Sequence, residues 1–160
     1  MDFVSVVIPC YNSGIFIEKA IHSVKNQTYN NIEIVVVNDG STDESLMLAN
    51  EVIKNHKKNV RLLSASFNEG RGRALKNGIN AATGDIIVTT EVDCSWGQSV
   101  VKDLATALIT RNSHVVVASP HLFGGGLVNV PWHRRALSYF GNRVICLFFR
   151  SGVSMNTGMT

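Results

Sequence analysis

Two acids separated by one residue close the run "IIVTTEVDCSW": Glu91 and Asp93 follow a β-prone apolar stretch. Side chains at i and i+2 on an extended chain project to the same side. Such a pair suits one hard divalent cation, Mg²⁺ or Mn²⁺, bound through oxygen with other positions left for water and a substrate phosphate. A cation at that place neutralises the charge that develops on a diphosphate leaving group. Acids one residue apart are also common in solvated turns, so spacing alone leaves that reading open.

The elements that must position these acids alternate in type. "FVSVVI" (3–8) predicts a buried strand ended by Pro9, and Asn12 or Ser13 caps a helix whose Ile17, Ala20, Ile21 and Val24 share one face. "IEIVVV" (32–37) predicts a second strand running into the turn "NDGSTD", after which Asp43 caps a helix with Leu46, Ala49 and Ile53 inward. "VRLLSA" (60–65) is a third strand, "NEGRGR" (68–73) a turn, and the next helix places Leu75, Ile79 and Ala82 inward. "IIVTT" (86–90) is the strand that delivers Glu91 and Asp93. A helix with Val101, Leu104 and Leu108 inward and a fifth strand, "HVVVAS" (114–119), follow. Near-continuous apolar strands alternating with helices predict an α/β fold, a mainly parallel sheet covered on both faces. Gly124, Gly125 and Gly126 then make a loop, and a helix is expected from Trp132 to about Arg150 with Leu137, Phe140, Val144 and Phe148 as a core stripe. His121 and His133 flank that loop and are expected to face solvent.

Ligands of open α/β sheets bind beyond the carboxyl ends of the strands. Three polar turns fall there: "PCYNSG", "NDGSTD" and "EVDCS". The first lacks the GxGxxG of a dinucleotide fold, and "GRGRAL" (70–75) has Leu75 where the third glycine belongs. Neither a GxxxxGK[ST] phosphate loop nor a GxSxG nucleophile elbow occurs. A net charge of +3 spread over 160 residues gives no argument for nucleic acid. Cys10, Cys94 and Cys146 are odd in number and far apart, which fits a reducing compartment better than a disulfide framework. No signal peptide is expected before "FVSVVIP", and "VICLFF" (144–149) is far short of a membrane span. The chain is therefore expected to be cytoplasmic, and soluble or at most peripheral to a membrane.

The block "SVVIPCYNSGIFIEKAIHSVKNQTYNNIEIVVVNDGSTDES" closely resembles the opening of glycosyltransferase family 2, and "NEGRGRALKNGINAATGDIIVTTEVD" resembles the block that leads to its D-x-D motif. The resemblance covers nearly the whole chain. Within the family, "WHRRALSYFGN" and "NTGM" look most like the polyprenyl-phosphate (dolichol-phosphate) mannose and glucose synthases. What the resemblance implies is a Rossmann-like GT-A fold and transfer of a sugar, with inversion, from a nucleoside-diphosphate donor. Pro9 and Tyr11 match the loop lining the nucleoside, Asp39 the acid that hydrogen-bonds the base, and Gly70 and Arg71 the turn near base and ribose. Glu91 and Asp93 match the two acids of D-x-D, on the donor and the metal. Arg134 and Ser138 match R-x-x-x-S positions that hold phosphates on the acceptor side.

The sequence departs from the family where Glu91 replaces the first Asp, adding one methylene. Ser95 stands as a weak metal ligand where the synthases often have a further oxygen ligand. Met155 or Asn156 occupies the place of a late acid. The expected organisation is one domain over 1–160, with a nucleotide-binding half (1–90) and a metal and acceptor half (91–160), lacking C-terminal elements of a longer protein. The expected acceptor is a polyprenyl phosphate, which would set the chain at the cytoplasmic face of a membrane. A hydroxyl acceptor in polysaccharide or glycan synthesis and a non-catalytic nucleotide-sugar binder are the alternatives.

Overall fold

The computed structural model describes residues 2–55, 59–94, 99–119, 126 and 130–149. The chain divides into two compact units, Met1–Ser113 and His114–Thr160. The first alternates β1 (Val4–Cys10), α1 (Gly14–Lys25), β2 (Ile32–Asn38), α2 (Ser45–Asn55), β3 (Val60–Ser64), α3 (Arg71–Ala81), β4 (Ile86–Thr89) and α4 (Val100–Thr110). Its four strands are all parallel, in the order β3-β2-β1-β4. The chain thus winds outward from β1 to β3 and returns to β1's other side with β4, which places the topological switch between β1 and β4.

Period-2 alternation sends Val4, Val6, Ile8, Ile34 and Val36 to one face, where they pack with Ile17, Ile21 and Val24 of α1, Ala49 of α2 and Val101 of α4. Val7, Val35 and Val37 go to the other face, under Ala74 of α3. Helices therefore cover both faces, as the buried, β-branched strands require. The α1 stripe Ile17, Ala20, Ile21 and Val24 is buried as its spacing predicts.

Three details differ from expectation. β1 runs through Pro9, paired with Val37, to Cys10. Val4 N–H and Cys10 C=O bond toward the β2 side, whereas Phe3 C=O and Val7 C=O accept from Ile86 and Thr90 on the β4 side. By alternation Pro9's missing N–H faces the β4 side, where the paired register ends at Val7–Thr89, so no ladder bond is lost. In α3 the buried positions are Ala74 and Gly78, while Ile79 is 42% exposed. The helix lies so close to the sheet that a Cβ on Gly78 would stand 2.4 Å from Val7 Cγ1. In α2, Ala49 is joined inside by Val52, while Leu46 is only half-buried.

A buried carboxylate ties the amino ends of the strands together. Glu33 (5% exposed) accepts from Ser5 Oγ at 2.6 Å, Thr83 N at 2.7 Å, Thr83 Oγ1 at 2.8 Å and Arg61 Nη2 at 2.8 Å. Burial raises its pKa, but these bonds and the Arg61 charge outweigh it and hold the carboxyl below its ordinary value.

In the second unit, α5 (Trp132–Phe149) forms as expected. Among the described residues the run 114–119 makes no strand ladder, and Val115 and Val117 are exposed. β-branched residues favour a strand, but only pairing makes one. Leu137, Phe140, Val144 and Phe148 of α5 are also exposed rather than forming a core stripe, and the buried positions are Ser138 and Asn142. Helical periodicity marks a face that excludes water when something packs on it; it does not supply the partner. Among the described residues, no helix is long and apolar enough to cross a membrane.

Candidate functional site

The carboxyl edge of the sheet gathers the turns after β1, β2, β3 and β4. The first two are tied to each other. Asn12, at φ 47°, donates its N–H to Ser41 Oγ (3.0 Å) and accepts from Thr42 N (2.9 Å) through Oδ1. Ser13 N donates to Ser45 Oγ (2.8 Å). Asp43 accepts from Gly14 N (3.2 Å), Ser45 N (3.0 Å) and the Ser45 hydroxyl, so it serves the starts of both α1 and α2. The Ser45 hydroxyl bond is the largest influence lowering the Asp43 pKa. Neither Asn12 nor Ser13 caps α1 with its side chain: Asn12 is spent on the neighbouring turn, and Ser13 Oγ donates to Tyr11 C=O. This cross-tie fixes the loop carrying Tyr11, whose ring is 45% exposed at the edge.

The turns after β2 and β3 are joined by Asp39. Its own N–H donates to Cys10 C=O (2.9 Å), and its carboxylate, 4% exposed, accepts from Glu69 N and Gly70 N at 2.9 Å each. Asn38, 1% exposed, adds bonds to Ser64 Oγ and Ser41 N. Gly40 (φ 64°) is required by close approach, because a Cβ there would lie 2.2 Å from the Phe67 carbonyl carbon. Gly70 (φ 92°, ψ 153°) holds a backbone conformation essentially reserved for glycine and is the N-cap of α3. Arg71 follows as the first residue of α3. Cys10 lies beside these acids; burial first, then Asp43 and Asp39, push its thiol up to about 12, so it is not a nucleophile here.

The turn after β4 departs from extended geometry. β4 ends at Thr89, and Cys94 N–H reaches Glu91 C=O at 3.4 Å with Cys94 at φ 58°. Glu91 and Asp93 therefore sit on a turn rather than on one face of a strand, and the argument from strand pleating does not apply to them. Glu91 Oε1 accepts from Arg71 Nη2 at 2.6 Å, an ion pair from the start of α3 to the end of β4. Asp93 is exposed.

One edge thus carries Pro9, Tyr11, Asp39, Gly70, Arg71, Glu91 and Asp93, all in the first unit. Ser95, His121, Met155 and Asn156 lie outside the described residues. Arg134 (exposed) and Ser138 (7% exposed) lie one turn apart on α5, and Asn142 Nδ2 donates to Ser138 Oγ at 3.5 Å. His133 is exposed, edge-to-face with Trp132. Asp43 serves the start of α2 as its place in the sequence predicts, but the Asn12–Thr42 tie and the Asp43 bond to Gly14 N were not expected; the Asx and Ser/Thr density of the two turns was their only signal.

No three His, Cys, Asp or Glu side chains converge on a point among the described residues, so they build no all-protein metal cage. Hard carboxylate oxygens on an open turn fit the other arrangement, in which one or two carboxylates hold Mg²⁺ or Mn²⁺ and phosphate and water complete it. The edge is open to solvent, with Tyr11, Arg71 and Asp93 all exposed.

The chain is similar to known proteins in sequence and in fold. An uncharacterized glycosyltransferase of Haemophilus influenzae is 33% identical over 74% of the chain and 36% of its own length. The dolichol-phosphate mannosyltransferase of Pyrococcus furiosus is 31% identical over 84% of the chain and 38% of its own length. The chain spans a little over a third of the length of these relatives. The mannosyltransferase PcManGT from Pyrobaculum calidifontis, solved in complex with GDP-Man and Mn²⁺, superposes with a TM-score of 0.62 and 26% identity over 67% of the chain and 32% of its own. The fold is the α/β fold of GT-A glycosyltransferases. Residues 5–158 match glycosyl transferase family 2, and the chain belongs to that family.

Proposed function

We propose that the chain is the donor-binding part of an inverting glycosyltransferase that moves a sugar from a nucleoside-diphosphate sugar to a polyprenyl-phosphate acceptor. The observation that carries this reading is the convergence, on one sheet edge, of the Asp39 clamp, Arg71 and the Glu91–Asp93 turn. Similarity to a protein solved with GDP-Man and Mn²⁺ supports the donor class and the cation, and similarity to a dolichol-phosphate mannosyltransferase supports the acceptor class.

In this reading Pro9, Tyr11 and Asp39 line the nucleoside, while Gly70 and Arg71 border the base and ribose. Asp93 would hold the divalent cation, and Ser95, two residues after it, is the weak further oxygen ligand; Glu91 lies on the donor side, paired with Arg71. The cation, when bound, neutralises charge on the departing diphosphate. The acceptor oxygen forms its bond to the anomeric carbon opposite the leaving nucleoside diphosphate, so the configuration inverts. A phosphate acceptor is already anionic and needs no side chain to take its proton. Arg134 and Ser138 are the residues proposed for the acceptor's phosphate. A lipid-linked acceptor would place the work at the cytoplasmic face of a membrane, with peripheral contact.

Calorimetry with UDP and GDP in the presence of Mn²⁺ tests the donor half. Wild type binds one of them, and Asp93→Ala abolishes the Mn²⁺-dependent part of that affinity. Affinity that Asp93→Ala leaves unchanged removes the metal role. Transfer from a radiolabelled donor to polyprenyl phosphate, rather than to a sugar hydroxyl, tests the acceptor half.

A further inference from the structure

Arg71 is held at both ends. Its backbone root is fixed because Glu69 and Gly70, the two residues before it, both donate their N–H groups to the buried Asp39 carboxylate at 2.9 Å. Its guanidinium is fixed by Glu91 at 2.6 Å. Neither end is accidental to the fold. Arg71 is the first residue of α3, where the positive end of the helix dipole disfavours a cation, and its side chain is 47% exposed. Without an acid nearby, such an arginine would range through solvent. Glu91 comes from the other side of the switch point and meets it there.

That contact assigns Glu91's charge. A carboxylate oxygen accepting a guanidinium N–H at 2.6 Å is already compensated by a full positive charge. A divalent cation on the same carboxylate would stand beside the guanidinium and repel it. The turn at 91–94 also removes the extended geometry that would aim both acids at one ion. We propose that Glu91 is a positioning residue: it aims Arg71 at the donor, and the cation rests on Asp93 without it. The inference builds on the donor-binding reading above. It also gives the longer acid a reason, since the extra methylene of glutamate supplies the reach to Arg71.

The two roles separate when nucleotide affinity is measured with and without metal. UDP and GDP are titrated into wild type, Glu91→Gln, Arg71→Gln, the double variant and Asp93→Asn, once with Mn²⁺ and once with EDTA. If Glu91 positions Arg71, Glu91→Gln weakens binding about tenfold in both conditions, the size of one charge-assisted contact. Arg71→Gln does the same, the double variant is no weaker than either single one, and the Mn²⁺-to-EDTA ratio stays at its wild-type value. Asp93→Asn alone collapses that ratio. Glu91→Asp, which keeps the charge but shortens the reach, weakens binding with the ratio intact. If Glu91 is a metal ligand, Glu91→Gln collapses the ratio, leaves EDTA affinity unchanged and adds to Arg71→Gln, and the inference is overturned. Far-UV circular dichroism confirms that each variant is folded. A wild-type chain that binds neither nucleotide in either condition defeats the donor-binding reading itself; binding with the second pattern defeats only the role given to Glu91.

Discussion

Replacing Asp39 by Asn tests whether the edge is held together as described. The carboxylate is 4% exposed and accepts one amide N–H on each oxygen, both at 2.9 Å. Asparagine keeps the shape and one acceptor, but turns an NH₂ toward the other amide. One charged hydrogen bond is lost and one buried donor then faces another donor. Hydrogen bonds to charged groups contribute about 1.5–3 kcal/mol, and a buried donor left unpaired costs a similar amount, so a loss of about 2–3 kcal/mol is expected after relaxation. For a chain of this size that lowers the melting temperature by roughly 4–12 °C. The loss should be local as well as global. Amide hydrogen exchange at Glu69 should accelerate about 30- to 150-fold, the equivalent of that free energy, and less at Gly70, whose N–H also donates to Asn68 Oδ1 at 2.9 Å. Nucleotide affinity should fall too, because the turn that roots Arg71 is released. A melting temperature within about 1 °C of wild type, together with unchanged exchange at Glu69 and Gly70, would refute the clamp.

Glu33 makes the folded protein sensitive to acid. Its folded pKa is depressed, so its contribution is complete above the unfolded glutamate value of about 4.3 and is lost as the pH falls below that toward the folded value. Urea midpoints taken from pH 7 down to pH 3 should fall on the acid side in wild type. Glu33→Gln should start about 2 kcal/mol less stable at pH 7 and show a shallower acid slope; an identical slope would contradict the assignment. Gly78→Ala places a Cβ 2.4 Å from Val7 Cγ1 and 2.9 Å from Val37 Cγ2. It should cost about 1–3 kcal/mol despite alanine's better helix propensity, and a raised urea midpoint would show that α3 can lift off the sheet without penalty.

The sequence is most legible where local pattern and tertiary contact coincide. α1 shows its buried face because large apolar residues recur at helical spacing and the sheet covers that same arc. α3 shows it only in part: Leu75 packs on the core as its spacing predicts, but the closest contact belongs to Ala74 and Gly78, and small residues leave no mark on a hydrophobic pattern. Pro9 reads as a strand end because proline cannot donate. Its place inside β1 depends on where β4 stops pairing, about 80 residues later in the chain. The run 114–119 and the α5 stripe carry the right residue types, but among the described residues no partner buries Val115, Val117 or the stripe. At the site, residue types were legible and partners were not. Asp39 is visible as an acid in a turn, but its bonds to Glu69 and Gly70 join positions 30 and 31 residues apart. Glu91 is visible beside Asp93, but its partner Arg71 is 20 residues away on another element.

The central claim is that one sheet edge grips an activated sugar donor through Asp39, Arg71 and an ion on Asp93. A crystal of the chain grown with Mn²⁺ and UDP or GDP, recorded at a wavelength where manganese scatters anomalously, tests it most directly. The account predicts one anomalous peak at bonding distance from an Asp93 carboxylate oxygen and from the diphosphate, with the nucleoside between Tyr11 and Asp39. A manganese peak on other side chains, or a nucleotide seated away from the carboxyl ends of β1 and β4, would contradict it.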